Sequence, residues 1–315
     1  MSWSKLFPDT IGQDGIKKQL AFHIRGFKAT DIMPHLLFTA PRGCGKTHLA
    51  KAVARNLVKK GERKCKPLLE INCASLKNVR QLFNQVIIPY ANNADVTLLF
   101  DECSELPRDI AMAMLTILNP NKDHRNTFAI EEYTVDFNFR QQTFIFCTTE
   151  GQKMFHALVD RLERIDLEEY ENSHLGAIVK LGLDKGIVIN KNALESVSRV
   201  LRGNARSAQK MAMKINQYCH AEKRKRFREV DWKKFSDQLS INPYGLMPAE
   251  IKLLEVLDEV KSMRLTQLAS KLAMSRQAVQ YDYEIYLQKL GLIGIETAGR
   301  YLTPSGKEYL KTIPA

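Results

Sequence analysis

The sequence lacks long apolar runs, closely paired cysteines and internal repeats. No apolar stretch approaches the ~20 residues that span a bilayer, and the N-terminal segment has no apolar core of the signal-peptide kind. The six cysteines include no CxxC pair and the seven histidines show no metal-ligand spacing, which argues against a zinc site and a disulfide framework. We therefore expect a cytoplasmic protein with reduced thiols and no membrane partner.

What the sequence has in excess is positive charge. Its 315 residues include 47 Lys and Arg against 35 Asp and Glu, a formal net charge of +12. This balance favours polyanionic partners, nucleic acid above all, because each phosphate contact releases counterions. A basic but inert surface is the alternative. The length suggests two or three domains.

The first 167 residues alternate short apolar strands with amphipathic helices. The pattern predicts strands at 35–39, 67–71, 96–100 and 143–147, helices at 12–26, 47–60, 76–90 and 108–118, and a β-hairpin at 127–140. Strands separated by helices imply a largely parallel sheet that is covered on both faces. The predicted fold class of this region is α/β.

Beyond residue 167 the pattern becomes helical, with amphipathic helices predicted at 191–201 and 204–222. A turn cluster at 242–245, Asn-Pro-Tyr-Gly, marks a further boundary. We therefore divide the chain into an α/β domain, a helical domain and a small C-terminal domain, with the bounds 1–167, 168–242 and 243–315.

A dense basic stretch, KRKRFREVDWKK, occupies residues 223–234. We interpret it as a solvated helix face, which is the usual role of such a run. Its aromatic residues, Phe227 and Trp232, are expected to pack against the core rather than to stack on nucleic-acid bases.

Residues 40–47, APRGCGKT, fit the phosphate-loop pattern GxxxxGK[ST] except at the first position. The segment follows an apolar strand and opens a helix, as such a loop must. Its glycines let backbone N–H groups approach an anion, Lys46 would neutralise the β- and γ-phosphates of ATP, and the Thr47 hydroxyl would ligate Mg²⁺. A chance glycine-rich turn is the alternative. The predicted nucleotide contacts here are Arg42, Gly43, Cys44, Gly45, Lys46, Thr47 and His48.

Two carboxylates, Asp101 and Glu102, follow the strand at 96–100. Open α/β sheets bind ligands at the carboxyl ends of their strands. Asp101 is therefore predicted to hold Mg²⁺ or its water, and Glu102 to polarise the attacking water as general base. Thr149 follows the next strand and would contact the γ-phosphate or that water, although simple capping of a loop explains it equally well.

Residues 247–313 follow the order helix, helix, helix, hairpin, which is typical of a winged helix-turn-helix. Ser275 is a suitable N-cap for the third helix, predicted at 276–290. Docking to a protein is the alternative role of such a domain. The candidate contacts to DNA grooves or phosphates are Arg276, Gln277, Gln280 and Tyr281 on the helix and Arg300 at the predicted wing tip.

The order of these motifs resembles the AAA+ ATPases, and within them the RuvB family of Holliday junction branch migration motors. The resemblance covers nearly the whole chain. It implies a P-loop AAA+ ATPase domain with a parallel sheet, a helical lid domain and a C-terminal winged helix. It also implies ATP and Mg²⁺ as cofactors, double-stranded or branched DNA as partner, and a homo-oligomeric assembly, a hexameric ring or spiral.

Individual residues are matched to the family by motif. Ile11 and Gly12 lie in an Ile-Gly-Gln segment that is similar to the one lying against adenine, and Tyr170 ends a segment similar to another part of that pocket. Thr149 matches the sensor-1 position. In Asp-Arg-Leu, Arg161 matches the arginine that reaches a neighbouring subunit's γ-phosphate. Two further arginines match by position, Arg206 in RGNAR the sensor-2 residue and Arg300 the wing arginine.

An arginine delivered to the γ-phosphate stabilises charge in the transition state and is worth ~10³–10⁵ in rate. Arg161 from a neighbour would make hydrolysis depend on assembly, and Arg206 would couple the lid to the nucleotide state. A surface salt bridge is the alternative for either residue.

The sequence also departs from the family pattern. Ala40 replaces a glycine, Arg42 replaces the usual proline, and Glu150 replaces an arginine. The hairpin at 127–140 is shorter than the RuvA-binding hairpin of the family, which argues for another partner or none. The chain is therefore expected to be a divergent relative.

The motifs together predict a DNA helicase or translocase that hydrolyses ATP and drives branch migration or remodelling of branched DNA in recombination and repair. The alternative is a clamp or helicase loader, or an initiator, that acts as an ATP-dependent DNA-binding switch. A DNA-binding regulator with a relic nucleotide site is disfavoured, because Lys46, Thr47, Asp101 and Glu102 are all present.

Overall fold

The predicted parallel sheet is present. The structure, a computed structural model, describes residues 3–59 and 61–313. The strands of the first region are β1 (Leu36–Thr39), β2 (Leu68–Asn72), β3 (Val96–Asp101), β4 (Arg125–Ile130), β5 (Tyr133–Asn138), β6 (Gln142–Thr148) and β7 (Glu163–Asp166). Five of them form one sheet in the order β2-β3-β6-β1-β7, with every pair parallel. The strand before Thr149 thus lies between the strand of the phosphate loop and the strand of the two carboxylates.

Side chains of the central strands alternate between two apolar cores, because successive residues of a strand point to opposite faces. Leu37, Phe100 and Phe146 belong to one cluster, whereas Phe38 and Leu99 belong to the other. This burial on both faces explains why the strands read as continuous apolar runs.

The helices of this region are α1 (Trp3–Leu6), α2 (Asp14–Thr30), α3 (Lys46–Ala54), α4 (Val79–Leu82), α5 (Arg108–Ile117) and α6 (His156–Val159). The prediction that the helix after the phosphate loop runs to Lys60 was wrong at its end, and Lys60 itself lies outside the described residues. The helix stops at Ala54, and the Asn56 side-chain amide then donates to the carbonyls of Ala52 and Leu6, both at 2.8 Å. These bonds satisfy a carbonyl that a longer helix would have used.

The helix predicted at 76–90 begins later and changes form. Asn78 caps its start by accepting a hydrogen bond from the Gln81 N–H at 2.9 Å. From Phe83 to Ala91 the chain follows a wider π-helix that contains Pro89. Pro89 has no N–H to donate, so one backbone hydrogen bond of this helix is missing at that residue.

The predicted β-hairpin is confirmed, displaced by two residues. β4 and β5 pair antiparallel around Glu131, which has φ of 52°. Phe128 stacks on Phe83 with ring centroids 5.2 Å apart, and Val135 and Phe137 are buried. The base of the hairpin is therefore anchored in the core of the sheet.

The chain forms two compact units, residues 1–178 with 203–210 and residues 179–202 with 211–315. The division into three domains stays a prediction. The elements after β7 are α7 (Asn172–Leu181), β8 (Val188–Ile189), α8 (Lys191–Arg199), α9 (Ala205–Ala221), β9 (Arg226–Phe227) and α10 (Glu229–Gln238). Within the described ranges, none of the helices combines the length and the apolar character needed to cross a membrane.

The basic stretch 223–234 is only partly helical, so its interpretation as one helix face was wrong. Residues 223–228 form a turn and the strand β9, which pairs with β8 through Val188 and Arg226, and α10 begins at Glu229. Phe227 and Trp232 are buried, as predicted.

The C-terminal residues form the predicted winged helix. Its helices and strands are α11 (Pro248–Asp258), α12 (Leu265–Lys271), α13 (Arg276–Ala278), α14 (Ile285–Lys289), β10 (Ile293–Glu296), β11 (Gly299–Leu302) and α15 (Pro304–Thr312). The third predicted helix is continuous from α13 to α14 through a π-helical segment at Val279–Glu284. The last helix, capped by Thr303, was not predicted.

At Gly299, in the wing strand β11, a side chain has no room because the neighbouring backbone lies too close. A Cβ atom there would lie 2.3 Å from the carbonyl oxygen of Met263. Met263 and Arg300 exchange both backbone hydrogen bonds at 2.8 Å, so the segment before α12 pairs with the wing strand. This close pairing fixes where Arg300 lies.

Candidate nucleotide-binding site and DNA interface

The phosphate loop lies between β1 and α3, as predicted. Gly43 and Gly45 have φ of 80° and 90°, in the left-handed region that favours glycine. Gly45 is the N-cap of α3 and has no side chain to satisfy the first N–H groups of the helix. Those groups and the positive end of the helix dipole are therefore available to an anion.

Lys46 is a buried cation, with 9% of its surface exposed. Its ammonium group donates to the carbonyls of Ala40 at 2.8 Å and Pro41 at 3.1 Å. Burial lowers the pKa of Lys46, and the charge of Arg206 lowers it further, whereas the Asp101 carboxylate raises it. A cation kept out of water in this way is stabilised by the approach of an anion such as a phosphate.

Thr47 and Asp101 meet at the carboxyl end of the sheet. The Thr47 hydroxyl donates to the Asp101 carboxylate at 2.9 Å, and the other carboxylate oxygen accepts the Glu102 N–H at 3.0 Å. These hard oxygen ligands fit Mg²⁺, which takes few ligands from the protein and the rest from substrate phosphates and water. The described part of the chain has no group of three or more His, Cys, Asp and Glu side chains suited to hold a metal.

Glu102 is exposed and has φ of 57°, an uncommon backbone conformation for a non-glycine residue. Strained conformations of this kind concentrate at functional sites. Thr149 is also exposed, directly after the buried Thr148. The Glu150 carboxylate is paired with Lys153 at 2.8 Å, so its charge is partly neutralised.

The predicted adenine contacts lie together. A Cβ atom on Gly12 would lie 3.2 Å from the His174 ring and 3.3 Å from the Tyr170 ring. Tyr170 is buried, and its hydroxyl would be 3.1 Å from a Cβ atom on Gly45. Since Tyr170 thus approaches both the Ile11-Gly12 segment and the phosphate loop, it can contact a nucleotide bound along this surface. His174 was not predicted.

Asn204 is a second residue that sequence reasoning missed. Its side-chain amide donates to the Arg42 carbonyl at 3.1 Å, and the Ala205 N–H donates to the Gly43 carbonyl at 3.0 Å. Its side chain fills the space beside Gly43, where a Cβ atom would come within 2.1 Å of it. The only sequence signal was its place in the Arg-Gly-Asn-Ala-Arg motif.

His48 lies in the first turn of α3, directly after the phosphate loop. One ring nitrogen lies 3.3 Å from the Thr10 hydroxyl, which places His48 beside the Thr10-Ile11-Gly12 segment. Cys44 is buried within the loop, whereas the Arg42 side chain is exposed.

The Arg161 side chain is bonded within its own chain. Its guanidinium donates to the carbonyls of Leu115 at 3.1 Å and Ala157 at 2.6 Å, and to the Asn119 side chain at 3.4 Å. These acceptors lie at the C-terminal end of α5 and in α6, where carbonyls lack helical partners and a cation is favourable. Arg206 instead has an exposed side chain.

The third helix of the winged helix presents its predicted DNA contacts to solvent. Arg276, Gln277 and Gln280 are exposed, and Tyr281 is 63% exposed. An exposed aromatic ring beside amides and an arginine suits both base edges and phosphates.

The predicted position of Arg300 at the wing tip was wrong, whereas its predicted contact to DNA stays a prediction. Arg300 lies in β11 rather than at the wing tip, and its guanidinium donates to both carboxylate oxygens of Glu284, at 2.8 and 3.1 Å. Glu284 is fully buried and the Arg300 side chain is only 15% exposed. Because a buried carboxylate needs its charge partner, the ion pair with Glu284 stabilises the winged helix.

Comparison with known proteins matches two segments to families. Residues 36–170 match the ATPase family associated with various cellular activities (AAA), and residues 243–311 match the RuvB C-terminal winged helix domain.

Similar curated proteins match over nearly their whole length. The Holliday junction branch migration complex subunit RuvB of Campylobacter lari is 25% identical over 317 residues, covering 97% of this chain and 90% of that protein. The protein of the same name from Mycoplasma genitalium is 23% identical over 315 residues, covering 96% of each.

Solved structures of Thermotoga maritima RuvB share the fold. A mutant form aligns with a TM-score of 0.77 at 22% identity over 98% of both chains. The structure described as the RuvB Holliday junction branch migration motor aligns with a TM-score of 0.75 at 21% identity over 96% of both.

Proposed function

We propose that this chain, an AAA+ ATPase that carries a RuvB-type winged helix, is an ATP-driven motor that migrates or remodels Holliday junctions or other branched DNA in the cytoplasm. The observation that carries the proposal is the hydrogen bond between Thr47 and Asp101 beside the buried Lys46, in a chain whose C-terminal residues match a RuvB domain.

The site has a defined part for each region of bound ATP. The backbone of the phosphate loop and Lys46 would hold the β- and γ-phosphates, and Tyr170 with the Ile11-Gly12 segment would contact the adenine. Thr47 and Asp101 would hold Mg²⁺, which when bound neutralises phosphate charge. Glu102 would orient and polarise the attacking water, and Thr149 would contact that water or the γ-phosphate.

Arg161 and Arg206 would complete the site in an assembled ring or spiral. The charge of Arg206 contributes to lowering the pKa of Lys46, which supports a role at the γ-phosphate. Arg161 is bound to backbone carbonyls of its own chain, so reaching a neighbour's nucleotide requires these bonds to exchange. We therefore propose that assembly into a hexamer moves the Arg161 guanidinium. It would leave the carbonyls of its own chain and bind the nucleotide of the neighbouring subunit.

DNA would be contacted by the exposed residues Arg276, Gln277, Gln280 and Tyr281. No RuvA-like partner is part of the proposal, because the β4–β5 hairpin is short, with six residues in each strand.

The test is a synthetic four-way junction mixed with the purified protein and ATP. A motor converts the junction into two forked duplexes, and replacing ATP by ADP stops the conversion. A loader or initiator would instead bind the junction in an ATP-dependent way and leave it intact. That second result would contradict the motor proposal.

A further inference from the structure

A buried ion pair joins the lid to the winged helix. Arg202 follows the lid helix α8, and its guanidinium donates to both carboxylate oxygens of Glu250 in α11, at 3.0 and 2.8 Å. The Glu250 side chain is fully buried and that of Arg202 is 22% exposed. Glu250 also accepts the Met247 N–H at 2.8 Å and so caps its own helix. One carboxylate therefore fixes both the start of α11 and the position of Arg202.

The same guanidinium is stacked on an aromatic ring. It lies 3.8 Å from the centroid of Tyr286 in α14, and the Tyr286 hydroxyl donates to the Tyr244 carbonyl at 2.7 Å. Arg202 is thus held between two helices of the winged helix. A planar guanidinium that is both stacked and bidentate has a single allowed orientation, which a lysine would not reproduce.

The segment that connects the lid to the winged helix, residues 242–246, is closely packed and hydrogen-bonded. Gly245, with φ of 68°, lies so close to the lid that a Cβ atom there would be 2.3 Å from the Val200 carbonyl oxygen. The Tyr309 hydroxyl donates a hydrogen bond to the Pro243 carbonyl at 2.9 Å, and the Asn242 side-chain amide donates one to the Leu246 carbonyl at 3.0 Å. The linker is therefore packed at both ends against structured elements.

Arg202 is also two residues away from a contact to the phosphate loop. Asn204, next along the chain after Gly203, donates to the Arg42 carbonyl. Both Arg202 and Gly203 have left-handed backbone conformations, with φ of 56° and 71°. Within three consecutive residues, one is therefore bonded to the winged helix and one to the phosphate loop.

We infer that Arg202 is a positioning residue that fastens the winged helix to the lid, so that the state of the nucleotide is transmitted to the DNA contacts. The inference rests on the proposed ATP- and DNA-binding function. A buried ion pair adds little net stability compared with an apolar pair, but it permits only one arrangement of the two domains. Movement of the loop-contacting segment would then move the third helix of the winged helix as well.

The experiment measures a coupling factor, the ratio of Kd values for a four-way junction in ADP and in a slowly hydrolysed ATP analogue. Such factors commonly reach 5- to 150-fold. The double variant Arg202→Met with Glu250→Met removes the ion pair without leaving a buried charge unpaired. The variant Arg202→Lys keeps the positive charge but loses the bidentate bond to Glu250 and the stacking on Tyr286. Lys252→Ala is the matched control, because it removes an exposed ion pair with Glu255 on the same helix.

We expect the double variant and Arg202→Lys to lower the coupling factor to about 1–2, while each binds ATP analogue alone and junction alone within about twofold of the wild type. Lys252→Ala should keep the wild-type factor. By reciprocity, junction DNA should lose its effect on analogue affinity to the same extent. A double variant with the wild-type factor would overturn the inference, as would a wild-type factor of 1. Neither result would bear on whether the chain hydrolyses ATP or migrates junctions, which is measured separately.

Discussion

Arg300 and Glu284 form a bidentate ion pair in the interior of the winged helix, with both contacts within 3.1 Å. Glu284 is completely buried in the π-helical segment of the third helix. The pair fastens the wing strand to the helix that presents the candidate DNA contacts, so it positions that helix.

The variant Arg300→Ala should therefore lose stability. It leaves a buried carboxylate without its partner, which costs about 3–5 kcal/mol. Chemical denaturation monitored by circular dichroism measures this loss. The exposed Arg276→Ala should stay within about 0.5 kcal/mol of the wild type and should instead weaken DNA binding. Arg300→Ala with unchanged stability and weaker DNA binding would restore Arg300 as a DNA contact.

Gly43→Ala should weaken ATP binding by at least about tenfold, or ~1.4 kcal/mol. The new Cβ atom would collide with the Asn204 side chain at 2.1 Å, in a backbone conformation that disfavours alanine. Gly186→Ala is the matched control, since Gly186 has φ of 92° with no described atom within 4 Å of the added Cβ.

Isothermal titration calorimetry with an ATP analogue compares the two variants. The control should lose some stability yet keep its ATP affinity. Equal ATP affinity in both variants would show that the contact of Asn204 with the loop has no part in nucleotide binding.

Stability should fall below pH 6.5 because of His35. Burial, helped by the charge of Lys66, lowers the pKa of His35 from 6.5 to about 3. The unfolded chain therefore takes up a proton between these two values that the folded chain does not. This stabilising contribution is complete above pH 6.5 and is lost as the pH falls toward 3, by about 1.4 kcal/mol per pH unit.

Urea denaturation at pH 7 and pH 5 measures the effect, for which we expect about 2 kcal/mol from His35. His35→Leu should reduce the difference between the two pH values by that amount. His156→Leu, at an exposed position, should leave it unchanged. Equal pH dependence in His35→Leu and the wild type would contradict the burial of a neutral imidazole.

The parts that the sequence predicted well are those set by neighbouring residues. The phosphate loop, its strand and its helix depend on a continuous segment, 36–54, in which apolar runs and glycines follow each other. The same holds for the strand that ends at Asp101 and for the Ser275 cap, which accepts the Ala278 N–H at 3.1 Å.

Contacts between distant residues could not be read from local pattern. The glycine before Arg300 predicts a place at the wing tip, yet the partner of Arg300, Glu284, lies 16 residues earlier. Asn204 reaches Arg42 across 162 residues. An arginine in a basic sequence looks the same whether it faces DNA or a buried glutamate, and only the tertiary structure distinguishes the two.

The central claim is that hydrolysis at Asp101 and Glu102 drives the movement of branched DNA. Its most direct measurement is the rate at which a fluorescently labelled four-way junction resolves, followed by energy transfer at saturating ATP, for the wild type, for Glu102→Gln and for the exposed control Glu105→Gln. We expect the wild type and Glu105→Gln to resolve the junction at similar rates. Glu102→Gln should bind ATP and the junction normally while resolving it at least about 100-fold more slowly, because general-base catalysis contributes roughly 10²–10⁴ in rate. Junction resolution by Glu102→Gln at the wild-type rate would contradict the account.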